Sequence, residues 1–225
     1  MSSARRPDLL VFDVNETLSD LSPMGERFAE VGAPAHLATS WFAGVLRDGF
    51  ALTAVDASTS FATIAAEGLR GLLHGMSLDR TTDEAVQHVM EGFRSLDVHP
   101  DVVEGLRALS DLGIRLVTLS NGAVAVADGL LERAGLRDHF ERLLSVEDAS
   151  TWKPAAASYA YALEQCGVAA GDAMLVAVHP WDIDGASRAG LGTAWINRGG
   201  GPYPDHFAAP DHRPATLPGL ADLLR

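Results

Sequence analysis

The chain has 225 residues, a length that allows one large domain or a core with an inserted second domain. Its 30 acidic and 17 basic residues give a formal net charge of −13, which argues against nucleic-acid phosphates or an anionic membrane surface as the main partner. No apolar run approaches the roughly 20 residues that a membrane helix needs. The single cysteine, Cys166, excludes an internal disulfide and a multi-cysteine zinc site. The first residues do not show the pattern of a signal peptide, so we expect a cytoplasmic protein.

The first predicted element is a strand. Residues 9–12 form a short continuous apolar run, LLVF, which is typical of a strand buried on both faces in a parallel sheet. Helical apolar stripes then follow one another between residues 20 and 98, and Thr81 with Glu84 forms a capping box at the start of the last. We find no strand pattern in this block, so we predict that it is all-helical.

After residue 99 strands and helices alternate. The pattern predicts strands at 114–119, 174–178 and 193–196, and a short apolar approach at 143–146. Such alternation is typical of βαβ units on a parallel sheet. We therefore predict an α/β fold, a doubly wound parallel sheet of Rossmann-like topology. Its core domain would comprise residues 1–19 and 99–225, with a helical cap domain inserted at 20–98.

Polar side chains follow the predicted strands directly. They come just after a strand or an apolar approach to one, and they are Asp13, Thr17, Ser120, Asn121, Lys153 and Asp182. Because ligands bind outside the carboxyl ends of parallel strands, we expect these side chains to meet at one site. A carboxylate kept ionised by a nearby amine and shielded from water is a usable nucleophile.

The order and spacing of these motifs resemble the haloacid dehalogenase superfamily, whose members attack their substrates with the first Asp. The resemblance covers nearly the whole chain and includes a helical cap between the first two motifs. It implies that Asp13 is the nucleophile, that Thr17 orients it, and that Lys153 holds it ionised and stabilises developing charge.

Two positions favour one branch of the superfamily. Its phosphatases resemble one another in a second acidic residue two places after the nucleophile and in a further acidic ligand for magnesium. Here those positions hold Asn15 and Val178, so a site for a hard cation has lost carboxylate oxygens. The type II 2-haloacid dehalogenases also lack these groups, and Tyr159, six residues after Lys153, resembles that branch as well.

The branch implies a hydrolase that needs no metal or cofactor and acts on a small 2-halo carboxylate. Asp13 displaces the halide and forms an ester, which water then hydrolyses. Ser120 and Asn121 would hold the substrate carboxylate, and Asp182 with His179 would orient or activate the water. The substrate pocket is also assigned Asn15, Tyr159, Trp41, Phe42 and Arg47. Members of the branch are often homodimers, so the resemblance points to that assembly.

Two departures from the branch concern the leaving group and the water. Trp41 is followed by Phe42, where the better-known enzymes have an arginine that receives the halide. Arg47 lies five residues later, well round the helix, and the Trp41 indole N–H is a substitute donor. The familiar Ser-x-Asn is replaced by residues 177–179, AVH, so His179 either activates water or caps the following helix.

Three functions remain open from the sequence. The first is the dehalogenase-type hydrolase. The second is a related hydrolase, including a phosphatase, that acts on another small substrate. The third is a non-catalytic descendant that binds a small carboxylate. Glu16 is expected to be a solvated turn residue, and its place inside the nucleophile loop leaves a pocket contact as the alternative.

Overall fold

The computed structural model describes residues 6–225. Residues 1–5 lie outside the described residues. They are part of the predicted core segment 1–19 and of the start in which no signal peptide is expected. The described strands are β1 (Leu9–Phe12), β2 (Arg115–Ser120), β3 (Arg142–Ser145), β4 (Ala173–Ala177) and β5 (Gly192–Trp195). They form one parallel sheet in the order β3-β2-β1-β4-β5, which confirms the predicted α/β fold.

Strand β1 is the centre of the sheet. All four of its residues are fully buried, as the continuous apolar run predicts, and Phe12 lies in register with Thr118 of β2 and Val176 of β4. The chain fills the β2 side of β1 first and then crosses to the β4 side. The order therefore reverses at the carboxyl end of β1, where open α/β sheets bind their ligands.

Along the chain, four helices follow β1 and precede the rest of the core, as the apolar stripes predict. They are α1 (Met24–Ala29), α2 (Leu37–Thr53), α3 (Phe61–Leu73) and α4 (Thr82–Arg94). The predicted capping box opens α4, with the Thr81 side chain bound to the Glu84 N–H and the Glu84 side chain bound to the Thr81 N–H. Phe61 and Phe93 stack with their ring centroids 5.2 Å apart, so the helices share an aromatic core. The predicted boundary between cap and core remains a prediction.

The helices that cover the sheet are α5 (Val102–Asp111), α6 (Val124–Arg133), α7 (Val146–Ala149), α8 (Ala156–Cys166), α9 (Pro180–Arg188) and α10 (Leu217–Leu223). Cys166 ends α8 as a buried free thiol. No helix within residues 6–225 combines the length and apolar character that crossing a membrane requires.

Helix α2 packs directly on the loop that carries Lys153. A Cβ atom on Gly49 would lie 2.3 Å from the Trp152 ring, so only glycine allows this approach. Trp152 also stacks on Phe61, with ring centroids 5.9 Å apart. The helical block is thereby tied to the residue that precedes Lys153.

Candidate active site

Asp13 follows β1 and is held from both sides. Its backbone N–H donates to the Val176 carbonyl at 3.1 Å, and its side chain is almost fully buried. The Thr17 hydroxyl donates to Asp13 Oδ2 at 2.7 Å and accepts from the Val178 N–H at 3.1 Å. Thr17 therefore fixes the carboxylate to the end of β4, as an orienting residue would.

Lys153 is the only lysine in the chain, and it is fully buried. Its Nζ lies 2.9 Å from Asp13 Oδ1 and 2.6 Å from Asp182 Oδ2. The Tyr159 hydroxyl donates to the other oxygen of Asp182 at 2.6 Å. These side chains form a continuous buried network that ends at Asp13. A Cβ on Gly185 would lie 2.6 Å from the Tyr159 oxygen, so this glycine in α9 makes room for the hydroxyl.

The charges in this network set the state of each group. Burial alone would raise the pKa of Asp13, but Lys153, then His179, and the hydrogen bonds from Thr17 and Lys153 hold that pKa below its usual value. Burial alone would lower the pKa of Lys153, but the charges of Asp13 and Asp182 keep that pKa above its usual value. One ammonium cannot balance two buried carboxylates fully. The pKa of Asp182 is accordingly raised, by burial first and then by the charge of Asp13, which outweigh Lys153.

Asp182 and Tyr159 lie away from the space that a substrate would enter. Both oxygens of Asp182 accept short hydrogen bonds and its side chain is fully buried, so it is shielded from solvent. Tyr159 is also fully buried, and its hydroxyl contacts Asp182. Neither side chain lines the cavity described below, and the predictions that Asp182 activates water and that Tyr159 binds substrate stay predictions. Asp182 holds Lys153, and Tyr159 holds Asp182.

Asn121 also holds Lys153. Its side-chain carbonyl accepts from the Lys153 N–H at 3.0 Å, and its amide donates to the Lys153 carbonyl at 3.3 Å. Its amide nitrogen carries a second hydrogen, so the assignment of Asn121 to the substrate carboxylate stays a prediction. Ser120 is buried, and its oxygen accepts from the Gly122 N–H at 2.9 Å, which leaves its own hydrogen for another acceptor.

His179 faces Asp13 with one ring nitrogen. Nε2 lies 3.1 Å from the carbonyl oxygen of Asn15, 3.6 Å from Asp13 Oδ2 and 3.6 Å from Glu16 Oε2. A carbonyl oxygen only accepts, so Nε2 carries a hydrogen and cannot take a proton from water in this arrangement. The ring stacks against Trp181, with centroids 5.0 Å apart. The residue also occupies the N-cap position of α9, without a side-chain cap bond. Asn15 itself is buried and meets His179 through its backbone oxygen.

A cavity of about 570 Å³ opens beside this cluster. The core contributes Glu16, Val178, His179, Trp195 and Arg198 to its wall, and α2 contributes Ala38, Thr39, Trp41, Phe42, Ala43 and Leu46. Within residues 6–225, the wall that α2 contributes carries no charged side chain. Phe42 lines this cavity, at the position where the better-known enzymes of the branch were expected to carry an arginine.

The other candidate halide donors are not available at this cavity. The Trp41 indole N–H donates to the Ala65 carbonyl at 2.9 Å, so the predicted substitute donor is already engaged. Arg47 has a side chain that is 75% exposed, pairs with Asp48, and lines a second cleft between α2 and α3. Arg47 does not line the cavity beside His179, and its assignment to the substrate pocket stays a prediction.

Glu16 lies on the cavity wall, the alternative that the sequence left open beside a solvated turn. The residue has a backbone φ of 64°, in the left-handed region that favours glycine. This conformation brings its carboxylate to His179 and to the cavity wall. No residue type in the loop indicates a left-handed glutamate, so the direction of the Glu16 side chain is evident only from the backbone conformation.

The residues around Asp13 do not fit a magnesium site. The position beside Asp13 Oδ1 that a cation would take is held by the Lys153 ammonium, and Asn15 and Val178 supply no carboxylate. Within residues 6–225, no three His, Cys, Asp or Glu side chains are grouped so that they could hold a metal ion.

A family model described as a haloacid dehalogenase-like hydrolase matches residues 7–190. The chain belongs to this family. The haloacid dehalogenase-like hydrolases similar to it include (S)-2-haloacid dehalogenase 4A of Burkholderia cepacia, 30% identical over 95% of this chain and 93% of the relative. Haloacetate dehalogenase H-2 of Moraxella sp. is 26% identical over 98% of this chain and 99% of the relative.

Solved structures agree with this family assignment. A dehalogenase crystallised with an intermediate complex is 27% identical, covers 97% of both chains and superposes with a TM-score of 0.89. The family resemblance that the sequence motifs carried is thus confirmed, together with the hydrolase class.

Proposed function

We propose that this haloacid dehalogenase-like hydrolase displaces halide from C2 of a short 2-halo carboxylate. The observation that carries the proposal is the 2.9 Å contact between Lys153 Nζ and Asp13 Oδ1. A buried ammonium keeps the carboxylate ionised, and a carboxylate removed from water is a stronger nucleophile than a solvated one. The dehalogenase names of the relatives support the same chemistry.

The two oxygens of Asp13 have different partners, and this difference assigns their roles. Oδ1 faces the fully buried Lys153, whereas Oδ2 faces Thr17 and His179, and His179 lines the cavity. We assign the attack to Oδ2. Its lone pair forms the bond to C2 of the substrate while the carbon–halogen bond breaks, and the halide leaves with that electron pair.

Lys153 acts again in the second step. Once Oδ2 carries the alkyl group, Oδ1 is the carbonyl oxygen of the ester, still beside the ammonium. Attack of water on Cγ moves the carbonyl electrons onto Oδ1, where a preorganised cation stabilises them. In this scheme the second step calls on the ammonium for charge stabilisation, consistent with the poor fit to magnesium.

The substrate carboxylate needs hydrogen-bond donors near Asp13. We assign this role to the Ser120 hydroxyl, because its oxygen accepts from the Gly122 N–H and its hydrogen remains to be donated. The apolar wall formed by Phe42 and Leu46 would enclose the carbon–halogen end. A wall without a cation favours small substrates with a compact leaving group.

Halide release measured with a chelator present tests the proposal. The wild type is incubated with haloacetates and both enantiomers of 2-chloropropionate, with EDTA, alongside Asp13→Asn. Asp111→Asn, which makes the same change on the exposed end of α5, is the matched control. We expect halide from the wild type and the control and none from Asp13→Asn. Magnesium-dependent release of phosphate from a generic ester, without halide release, would instead identify a phosphatase.

A homodimer and a cytoplasmic location remain proposals that rest on the family resemblance. Light scattering after size exclusion measures the assembly, and a mass equal to one chain would contradict the dimer. Cell fractionation of the native host measures the location. The division into a core of residues 1–19 and 99–225 and a cap of residues 20–98 is proposed in the same way. Limited proteolysis near residues 20 and 98 tests it.

A further inference from the structure

Glu16 is an ionisable group beside Asp13 that the scheme above does not use. Its backbone is anchored on both sides: its N–H donates to Ser19 Oγ at 3.3 Å, and its carbonyl accepts from His99 Nε2 at 2.9 Å. The side chain takes no part in this anchoring, and its Oε2 lies 3.6 Å from His179 Nε2. A non-glycine residue held at a φ of 64° marks a loop whose conformation serves more than chain reversal.

Two carboxylates approach the same imidazole nitrogen. Asp13 Oδ2 and Glu16 Oε2 are each 3.6 Å from His179 Nε2. Of the two, Asp13 is almost fully buried, whereas Glu16 has a side chain that is 41% exposed and lines the cavity. Glu16 therefore borders the cavity on the same side as His179, which contacts Asp13.

The groups predicted to activate water are placed less favourably for that role than Glu16. Asp182 has both oxygens engaged, and His179 Nε2 carries a hydrogen donated to the Asn15 carbonyl. Of the carboxylates that contact His179 or Lys153 beside Asp13 in the described part of the chain, Asp182 is fully buried, whereas Glu16 has a solvent-reachable oxygen.

We infer that Glu16 is the general base for hydrolysis of the Asp13 ester, an inference that rests on the proposed function. A water molecule between the two side chains gives a proton to the Glu16 carboxylate while its oxygen attacks Asp13 Cγ. The carbonyl electrons move to Oδ1, beside Lys153. The intermediate then breaks the Cγ–Oδ2 bond, and the departing alkoxide takes the proton from Glu16 to give the 2-hydroxy acid. Asp13 is left as a carboxylic acid and loses its proton to solvent.

The charges around Glu16 match this timing. Burial raises its pKa, His179 lowers it, and the negative charge of Asp13 raises it further, so the pKa lies above its usual value. Ester formation removes the Asp13 charge. Glu16 is then ionised more readily at the stage where the reaction needs a base, and the His179 N–H remains beside it.

The test separates ester formation from ester decay. Glu16→Gln keeps the size of the side chain and removes its basicity. Glu26→Gln makes the same change on the exposed face of α1 and is the matched control. With 2-chloropropionate, we expect Glu16→Gln to release halide in a burst of one equivalent at the wild-type rate. Decay of the ester, followed by intact mass, should slow by about 100-fold or more, the usual contribution of a general base. Glu26→Gln should behave like the wild type.

A second variant guards against a structural explanation. Glycine suits the left-handed backbone, so Glu16→Gly keeps the loop and leaves space for formate. Formate should accelerate ester decay in Glu16→Gly and leave Glu16→Gln unchanged. Ester decay at the wild-type rate in both variants, or equal slowing of formation and decay without rescue, overturns the role of Glu16. If the wild type forms no ester with any 2-halo acid, the proposed function itself fails.

Discussion

The Tyr159 hydroxyl donates a 2.6 Å hydrogen bond to Asp182, and Asp182 in turn accepts from Lys153. Tyr159 thus supports the ammonium without contacting the cavity. Tyr159→Phe leaves one oxygen of a buried carboxylate without its donor, which destabilises the fold by about 1–3 kcal/mol. We expect kcat to fall about tenfold, equivalent to about 1.4 kcal/mol, with KM unchanged, because the hydroxyl acts through Lys153.

Tyr161→Phe on the same helix is the matched control. Its hydroxyl makes a 3.5 Å contact with Asp148 at the surface, so neither stability nor kcat should change measurably. Urea denaturation and steady-state kinetics on both variants measure the two effects. A large rise in KM for Tyr159→Phe would show that Tyr159 contacts the substrate after all.

Lys153 balances two buried carboxylates, so its removal affects both stability and activity. Lys153→Met leaves Asp13 and Asp182 without their common partner, and breaking such a buried pair costs about 3–5 kcal/mol. The double variant Lys153→Met, Asp182→Asn removes one of the stranded charges and should regain part of that stability. Halide release should stay absent in both. Recovery of activity in the double variant would contradict the role of the ammonium in catalysis.

The single lysine makes its pKa directly measurable. Protein labelled with nitrogen-15 lysine gives one side-chain signal, from Lys153. Although burial favours the neutral amine, Asp13 and Asp182 raise the pKa above the usual 10.5, so the signal should remain that of an ammonium through pH 10.5. A raised pKa in the folded state contributes stability that is present below 10.5 and is lost as pH rises through the folded value. Titration below 10.5 would contradict the described network.

Phe42 and Arg47 line two different clefts beside α2. Arg47→Ala removes an exposed side chain that pairs with Asp48 outside the proposed substrate cavity, so kcat/KM should stay within about twofold of the wild type, well under 1 kcal/mol. Phe42→Ala enlarges the cavity beside Asp13 and should lower kcat/KM for haloacetates more than for bulkier 2-halo acids. Loss of activity in Arg47→Ala would show that this arginine reaches the leaving halide.

The sequence predicted the fold and the position of the site, but it did not predict which side chains bind one another there. The run at residues 9–12 predicted a buried central strand because burial on both faces requires continuous apolar residues. The order of Asp13, Lys153 and Asp182 predicted a shared site because parallel strands end at one edge. The strand ends at 119 and 178 were each misplaced by one residue, and β3 was read only as an apolar approach.

The finer assignments depended on side-chain direction, which spacing does not determine. Tyr159 and Asn121 belong to the predicted motifs, yet they point at Asp182 and at the Lys153 backbone and not at the cavity. The Trp41 indole N–H donates to the Ala65 carbonyl in a neighbouring helix, a long-range contact that no local pattern predicts. Glu16 depends on a left-handed backbone, which the residue type itself disfavours.

Quenched-flow mass spectrometry with 2-chloropropionate in oxygen-18 water tests the nucleophilic role of Asp13 most directly. The account predicts a transient alkyl adduct on the peptide that contains Asp13. In a single turnover the heavy oxygen should then enter that peptide and not the 2-hydroxy acid, because water attacks Cγ. Labelled product with an unlabelled Asp13 peptide would mean that water displaces the halide itself, and would contradict the covalent mechanism.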